Sequence, residues 1–206
     1  MAMAFTLAPL TWRPWLPPVP LAACGEAQLA ALVESGPEAR RNAYYLTLAH
    51  DASALTARSR LFNTIMYAPR GLPRADRELA AAAESRMNGC VFCASVHGRL
   101  HVRLSKDSET MARLLEHGPS AAMSPRNRVI VNYAIRLGVG RPAADDSDIL
   151  ALRAVGLTDP EIIDLTHAIA IFAWANRLML SLGEAEAAPA DFNDADGDYL
   201  LQRAMG

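Results

Sequence analysis

Apolar residues in this chain gather in segments of helical length, bounded by glycine, proline or capping residues. We predict helices over residues 26–34, 38–48, 52–67, 74–87, 90–104, 107–117, 125–137, 144–155 and 158–182, and a short terminal helix over 199–205. Pro73 and Pro125 stand where a first-turn proline is tolerated, and Ser124 is a good N-cap. Thr158-Asp159-Pro160-Glu161 has the form of a capping box and predicts the start of the longest helix.

The amino-acid composition favours an all-α fold. Hydrophobic residues make up 51% of the 206 positions, with much Ala and Leu, whereas aromatic residues make up only 6%. This composition favours closely packed helices over a β-sandwich rich in Val, Thr and Tyr. We therefore predict a multi-helix bundle. A turn followed by an Ala-rich helix occurs both before Cys90 and at Thr158, which fits two related helical halves.

We expect one helical domain with an extension at each end. Residues 1–24 carry prolines at positions 9, 14, 17, 18 and 20, so they are predicted to form an extended arm. Residues 25–183 form the predicted helical domain, and a chain of this length can bury a substantial core. Residues 184–206 are predicted to be an acidic tail that ends in the short terminal helix.

Neither export nor membrane insertion is predicted. Leu21-Ala22-Ala23-Cys24 could pass for a lipoprotein cleavage site, but no Lys or Arg precedes Arg13 and the prolines interrupt any apolar helix. The apolar segment 162–182 contains residues that are costly in lipid, namely Asp164, His167, Asn176 and Arg177. We predict that it is a buried helix and that the protein is cytoplasmic. In such a reducing compartment, a Cys-x-x-Cys pair is more often catalytic or metal-binding than a permanent disulfide.

The charge of the chain gives no reason to expect a nucleic-acid or membrane partner. The formal net charge is −2 and there is no long basic run. A surface of this kind has no strong field to attract phosphate backbones or anionic lipid.

The candidate chemistry lies between residues 78 and 101. At about 100° per residue, Cys90, Cys93, His97 and His101 fall within about an 80° sector of one helix face. Cys90 stands at the predicted start of that helix, where unpaired N–H groups and the helix dipole favour a thiolate. Two sulfurs at this spacing can form a disulfide. The pair therefore suits a cycle in which one thiolate attacks a peroxide and the other resolves the sulfenic acid.

Two further residues are candidates for proton transfer. His97 follows Cys93 by four residues, one helical turn, and histidine is the side chain best suited to proton transfer near neutral pH. On the preceding helix, Glu78 lies at the edge of an apolar arc, whereas Glu84 falls on the polar side near Arg77. Glu78 is thus the better candidate for a carboxylate that faces the site.

A Glu twelve residues before a Cys-x-x-Cys, with a His four residues after it, resembles the alkylhydroperoxidase D and carboxymuconolactone decarboxylase superfamily. The resemblance continues through residues 72–78, 123–142, 154–161 and 172–177, and it covers roughly residues 40–183. The chain most resembles the branch called peroxidase-related proteins. The expected fold is accordingly the helical bundle of alkylhydroperoxidase D.

The resemblance also implies roles and partners. It makes Cys93 the cysteine that becomes a sulfenic acid, Cys90 the resolving cysteine and proton donor, and Glu78 and His97 the proton relay. This order differs from the local argument, in which the helix start activates Cys90. The implied substrate is a hydroperoxide, the implied reductant is a thiol or dithiol, and the implied assembly is a homo-oligomer of dimers or trimers. No cofactor or metal is expected.

Other interpretations remain open at this stage. The two cysteines could be buried thiols without chemistry. A zinc site is disfavoured, because ligands strung over about 16 Å of one helix cannot surround one ion. Glu78 could be a surface carboxylate paired with Arg74 or Arg77. His101 is interpreted as a surface or packing residue and Cys24 as an incidental thiol.

Two other functions also remain open. One is a non-redox enzyme similar to carboxymuconolactone decarboxylase, which would use His and carboxylate side chains for proton transfer on a small lactone acid. The other is a non-enzymatic protein whose disulfide changes its assembly. His167, Asn176 and Arg177 are predicted to make hydrogen bonds between helices or subunits.

Overall fold

The computed structural model describes residues 3–69, 71–141 and 143–189 and is predominantly helical. Its helices are α1 (Glu26–Ser35), α2 (Ala43–Leu48), α3 (Ala52–Tyr67), α4 (Arg74–Met87), α5 (Val91–Ser105), α6 (Ser108–His117), α7 (Pro125–Gly138), α8 (Asp146–Ala154) and α9 (Asp159–Leu182). Short 3-10 turns occupy Leu21–Ala23, Pro37–Arg40 and Gly118–Ser120. The prediction of an all-α fold is confirmed.

The helix boundaries largely follow the predicted ones. The bounds of α3 and α4 agree with the prediction at both ends, and those of α1 and of α5–α9 differ by two residues or fewer. The predicted capping box is present at α9, where the Thr158 N–H donates to Glu161 Oε2 at 2.8 Å. The predicted terminal helix over 199–205 lies outside the described residues.

The prediction of one helix over 38–48 is wrong. A 3-10 turn, Pro37–Arg40, comes first, and α2 begins only at Ala43. Asn42 interrupts the helix, because its side-chain oxygen accepts a hydrogen bond from the Tyr44 N–H at 3.0 Å. Asparagine competes for backbone hydrogen bonds in this way, so it is more favourable as a cap than inside a helix.

The α4 helix lies at the centre of the bundle. Residues 79–83 on this helix are fully buried, and four of the five are alanines. α4 packs against α5, α7 and α9. Small side chains allow the neighbouring helices to approach closely, so even the polar residues of α4 are enclosed by other helices.

The two ends of the described chain meet in a small antiparallel sheet. Strand β1 (Leu10–Pro14) pairs with β2 (Gly183–Ala187), with Trp12 opposite Ala185. The Trp12 ring packs edge-on against Tyr44 with centroids 5.3 Å apart, and its Nε1 donates to Met179 O at 3.2 Å. The predicted extended arm is thereby tied, through its middle, to the C-terminal end of α9.

Helix α9 is long and apolar enough to cross a membrane by length and composition alone. In the fold it is a core helix, because one face is buried against the rest of the bundle through Leu165, Ile169 and Phe172. The opposite face is exposed. The prediction that this apolar segment is a buried helix is confirmed for the inward face.

Candidate active site

The α4–α5 hairpin brings the predicted site residues together. α4 ends at Met87 with Asn88 as its C-cap, and Gly89 adopts a left-handed conformation with φ of 80°, which L side chains rarely adopt. This turn lets α5 run back along α4 from Cys90 onward. Glu78 and His97 lie ten and nine residues from Asn88 in the sequence. At about 1.5 Å per residue they meet about 14 Å from the turn.

Both cysteines are buried at the start of α5. Cys90 is the N-cap residue and Cys93 lies in the first turn, with exposed fractions of 2% and 6% and no disulfide between them. The pKa of Cys90 is lowered by a hydrogen bond from the Cys93 side chain, against the effect of burial and with help from the Cys93 N–H. The pKa of Cys93 is raised well above its ordinary value, because Cys93 keeps the shared proton and is buried. Of the two thiols, Cys90 is therefore the one whose ionised form the surroundings favour, in agreement with the local argument from the helix start.

Glu78 and His97 form a buried hydrogen-bonded pair. His97 Nδ1 lies 2.5 Å from Glu78 Oε2, and Arg74 Nε donates to Glu78 Oε1 at 2.5 Å. Burial raises the pKa of Glu78, but the charges and hydrogen bonds of Arg74 and His97 outweigh it and lower the pKa to about 2. Glu78 is thus a carboxylate at neutral pH. Because the carboxylate of Glu78 accepts a hydrogen bond, the proton of that bond lies on His97 Nδ1. The other ring nitrogen, Nε2, is left to exchange protons.

The structure therefore combines two interpretations of Glu78. It is paired with Arg74, as in the interpretation of Glu78 as a surface carboxylate, but it is fully buried and also contacts His97. Arg77 is not its main partner. The Arg77 guanidinium donates instead to backbone carbonyls, including Leu72 O at 2.8 Å and Ile65 O at 3.0 Å.

A cavity of about 110 Å³ reaches the cysteine pair from the side of α2 and α3. Cys93 and His97 line it, whereas Cys90 does not. Its walls are mainly aromatic and aliphatic, from Tyr44, Phe62, Phe92, Val96, Phe172 and Met179. The His97 ring packs edge-on against Phe172 with centroids 4.2 Å apart. Access to the pair from this cavity is therefore through Cys93.

A second polar cluster, not anticipated as part of the site, lies on the other side of the cysteines. Asn176 of α9 is fully buried and lies within hydrogen-bonding reach of both sulfurs, where it favours a thiolate. Its Nδ2 donates to Ser85 Oγ at 3.0 Å, and its Oδ1 accepts from Asn88 Nδ2 at 3.1 Å. The predicted interhelical hydrogen bonding of Asn176 is confirmed. Its position at the cysteines has no signal in the local sequence, since 86 residues separate it from Cys90.

The same cluster contains Glu84, whose predicted position on the polar side is wrong. The residue is fully buried, and Asn88 Nδ2 donates to its Oε1 at 2.6 Å. Burial raises the pKa of Glu84 to about 7, opposed by the bond from Asn88 and the charge of Arg177. The sequence shows this face of α4 as polar, but in the fold α7 and α9 cover it.

The remaining candidates lie outside the cavity. His101 is buried with Nδ1 2.9 Å from Ala75 O, so it packs against α4, as one of the two interpretations of this residue predicted. Cys24 lies beside Pro20, with its sulfur 3.7 Å from the carbonyl oxygen. His167 and Arg177 are exposed on α9. Within the described ranges, no three His, Cys, Asp or Glu side chains are grouped around a position for a metal ion.

Comparison with known families identifies the central part of the chain. Residues 52–136 match the carboxymuconolactone decarboxylase family. The matched segment runs from α3 into α7 and contains Glu78, Cys90, Cys93 and His97. No curated protein matches the chain.

Several solved structures share the fold. An uncharacterized peroxidase-related protein from Ralstonia eutropha JMP134, described as an alkylhydroperoxidase AhpD core, is 23% identical, with 93% of this chain and 96% of that one covered and a TM-score of 0.72. An uncharacterized peroxidase-related protein from Silicibacter sp. TM1040 is 25% identical, with 66% and 71% covered and a TM-score of 0.60. The apo debrominase Bmp8 is 16% identical, with 93% and 98% covered and a TM-score of 0.66.

The likenesses to the Ralstonia protein and the debrominase extend over nearly the whole chain and establish the fold. The family match covers the helices that carry the Glu, Cys, Cys and His positions. The chain therefore shares the fold of these proteins, and its residues 52–136 are similar to the carboxymuconolactone decarboxylase family.

Proposed function

We propose that this protein is a thiol-dependent hydroperoxide reductase, or a disulfide oxidoreductase that uses the same pair, with Cys93 as the attacking cysteine and Cys90 as the resolving one. The observation that carries the proposal is the division of the pair: Cys93 lines the cavity beside His97, and Cys90 lies behind it with the lower pKa. A substrate entering the cavity meets the sulfur of Cys93 first.

The first step is a proton transfer within the pair. The thiolate of Cys90 takes the proton of Cys93 through their hydrogen bond, which leaves Cys93 as the thiolate. This resolves the difference between the family order and the helix-start argument: Cys90 holds the resting charge and acts as the base that activates Cys93. A high pKa at Cys93 also makes its thiolate the stronger nucleophile once formed.

The second step reduces the hydroperoxide. The Cys93 thiolate attacks the terminal oxygen of ROOH, the O–O bond breaks, and Cys93 becomes a sulfenic acid. The leaving alkoxide takes a proton and departs as an alcohol. His97 is placed to supply that proton from Nε2, since Glu78 holds its Nδ1–H and stabilises the imidazolium from which the proton comes.

The third step closes the cycle on the enzyme. Cys90 gives up its proton, attacks the sulfenic sulfur of Cys93, and displaces hydroxide, which leaves as water, while the Cys90–Cys93 disulfide forms. An external thiol or dithiol then reduces the disulfide and returns the two electrons. The overall reaction consumes one hydroperoxide and two thiols, and yields one alcohol, one water and one disulfide.

The proposal is tested by exposing the reduced protein to cumene hydroperoxide and following peroxide consumption with a dithiol reductant. Wild type is expected to form the Cys90–Cys93 disulfide and to lose the mass of two hydrogen atoms. Cys93→Ser is expected to abolish consumption. Cys90→Ser is expected to react more slowly, because it lacks the base that activates Cys93, and to stop after one turnover with a sulfenic acid on Cys93. Cys24→Ser, which removes the third thiol, is the matched control and is expected to behave as wild type.

Two outcomes would contradict this proposal. Wild type that forms no disulfide on exposure to peroxide would exclude the redox cycle. A sulfenic acid trapped on Cys90 in the Cys93→Ser variant, with consumption maintained, would reverse the roles of the two sulfurs. Activity on a lactone acid that survives loss of both cysteines would favour the decarboxylase-like alternative.

We also propose that the protein works as a homo-oligomer in the cytoplasm. The outward face of α9 supports assembly, because Ile163, Ala170 and Trp174 are exposed and lie at helical spacing along it. Light scattering of the purified protein measures the assembly. A purely monomeric mass at micromolar concentration would exclude it.

A further inference from the structure

The cavity contains a buried cation that the peroxidase cycle does not use. Arg58 of α3 is only 8% exposed and lines the same cavity as Cys93 and His97. Its Nε has no hydrogen-bond partner within the described parts of the chain, and none of the described carboxylates forms an ion pair with it. The hydroxyl of Tyr44, 5% exposed on the same wall, also has no hydrogen-bond partner there.

Arg58 is held by aromatic rings rather than by an acid. Its guanidinium carbon lies 4.1 Å from the centroid of Phe62, 5.3 Å from that of Tyr44 and 5.4 Å from that of Tyr45. Contacts of this kind stabilise a cation. They leave the Nε donor of Arg58 without an acceptor, however, and a buried donor without an acceptor is unfavourable.

The other charges around the cavity are already paired. Glu38 lines it but forms an ion pair with Arg41 at 2.6 Å. His97 is bonded to the ionised Glu78. Arg58 is therefore the charge in this cavity that an entering molecule would neutralise, and the remaining walls are apolar or polar without charge.

We infer that Arg58 and Tyr44 form a subsite for the carboxylate of a hydrophobic substrate, so that the preferred hydroperoxides are carboxylic acids with an apolar aliphatic or aromatic body. A carboxylate is the anion that matches this site, because its two oxygens accept the parallel N–H donors of a guanidinium and a further hydroxyl hydrogen bond. The apolar body would lie against Phe62 and Phe172, with the peroxide group toward Cys93. This inference extends the proposed function and rests on it for the identity of the reacting group.

Binding can be tested without any redox chemistry. The double variant Cys90→Ser/Cys93→Ser cannot turn over, and its affinity for 4-isopropylbenzoate is compared by calorimetry with that for 4-isopropylbenzamide, which has the same shape without the charge. The carboxylate is expected to bind at least about tenfold more tightly, as a charge-assisted pair in a buried site requires. Equal affinity for the two compounds, or no binding of either, would overturn the inference.

The role of Arg58 itself is tested by substitution in that same background. Arg58→Gln is expected to lose the preference for the carboxylate while keeping the weak affinity for the amide. Arg60→Gln is the matched control. Arg60 is two residues from Arg58 on the same helix, but it is exposed and forms an ion pair with Glu34 at 3.5 Å. Tyr44→Phe, which removes only a hydroxyl, is expected to weaken carboxylate binding by a smaller factor. A preference that survives Arg58→Gln in a folded variant would contradict the assignment.

Turnover kinetics distinguish carboxylate binding by Arg58 from an effect of its charge on the Cys93 thiolate. The charge of Arg58 also favours the Cys93 thiolate. If that were its only role, Arg58→Gln would slow cumene hydroperoxide and its 4-carboxylate derivative by the same factor. We expect KM to rise at least about tenfold for the carboxylate and to change little for the neutral peroxide. Failure of all peroxide turnover alongside intact carboxylate binding would refute the peroxidase proposal and leave the subsite standing.

Discussion

The buried carboxyl of Glu84 makes the stability of this protein depend on pH in a direction that can be calculated. The pKa of Glu84 is raised from 4.5 to about 7, chiefly because burial disfavours its charge. The folded state therefore binds this proton more tightly than the unfolded state does. It follows that the contribution of Glu84 to stability is fully present below pH 4.5 and is lost as the pH rises toward and through 7.

The size of the effect follows from the two pKa values. A shift from 4.5 to about 7 corresponds to about 3–4 kcal/mol between the acidic and alkaline limits, at about 1.4 kcal/mol per pH unit. Glu84→Gln removes the ionisation. It keeps a side-chain carbonyl that accepts from Asn88 and places an amide where Oε2, which has no hydrogen-bond partner among the described residues, now lies. We therefore expect the variant to match wild type near pH 4 and to be more stable by about 3–4 kcal/mol at pH 8.

The assay is urea unfolding, followed by far-ultraviolet circular dichroism, at intervals from pH 4 to pH 8. The quantity of interest is the difference in free energy of unfolding between the variant and wild type, because other titrating groups cancel in it. A difference that does not vary with pH would refute the reasoning, since a changed packing contact has no reason to titrate between 4.5 and 7.

Glu78→Gln provides a control with the opposite sign. The pKa of Glu78 is depressed from 4.5 to about 2, so its stabilising contribution is present above pH 4.5 and is lost as the pH falls toward 2. This substitution is expected to destabilise the protein at pH 7 by about 3–4 kcal/mol, because the stabilising ionisation is lost and Arg74 is left without its anionic partner. The loss should shrink as the pH is lowered below 4.

Three further substitutions test separate parts of the fold and site. Gly138→Ala would place a Cβ 1.6 Å from Glu84 Oε2, so we expect it to destabilise by about 1–3 kcal/mol, measured as a lower midpoint of urea unfolding. Asn176→Ala removes a hydrogen bond that favours ionisation of Cys90, so the pKa of Cys90 should rise and the ultraviolet absorbance of its thiolate should appear at a higher pH than in wild type; an unchanged titration would contradict this role. Arg77→Lys cannot satisfy the carbonyls that Arg77 binds at the end of α3, and we expect a loss of about 2–3 kcal/mol in a thermal or urea unfolding measurement.

Much of this fold follows from local sequence signals. Helix α4 begins after Pro73 and ends before Asn88-Gly89, and both signals act through the backbone of a few neighbouring residues. The position of Cys90 as the N-cap of α5 follows from the same kind of local signal. Where a side chain competes with the backbone, as Asn42 does, the composition of the segment misleads and one predicted helix becomes a turn and a shorter helix.

Part of the candidate site was also accessible from sequence spacing. Glu78, Cys90, Cys93 and His97 lie within 20 consecutive residues, so two helices and one turn determine their separation. The turn at Gly89 places Glu78 opposite His97 for the same reason. A pattern of this kind is recognisable because its geometry depends on short-range structure.

The amino-acid sequence by itself determined the helices, their ends and the spacing of the four site residues, because these depend on backbone preferences over short distances. Only the tertiary structure decided the rest. Packing of α9 against α4 brought Asn176 to the cysteines and enclosed Glu84, and packing of α3 against α9 and α4 placed Arg58 in the cavity with Cys93. Burial shifts the pKa of a carboxyl group and makes an unpaired cation unfavourable. Burial is a property of the assembled helices rather than of any one of them.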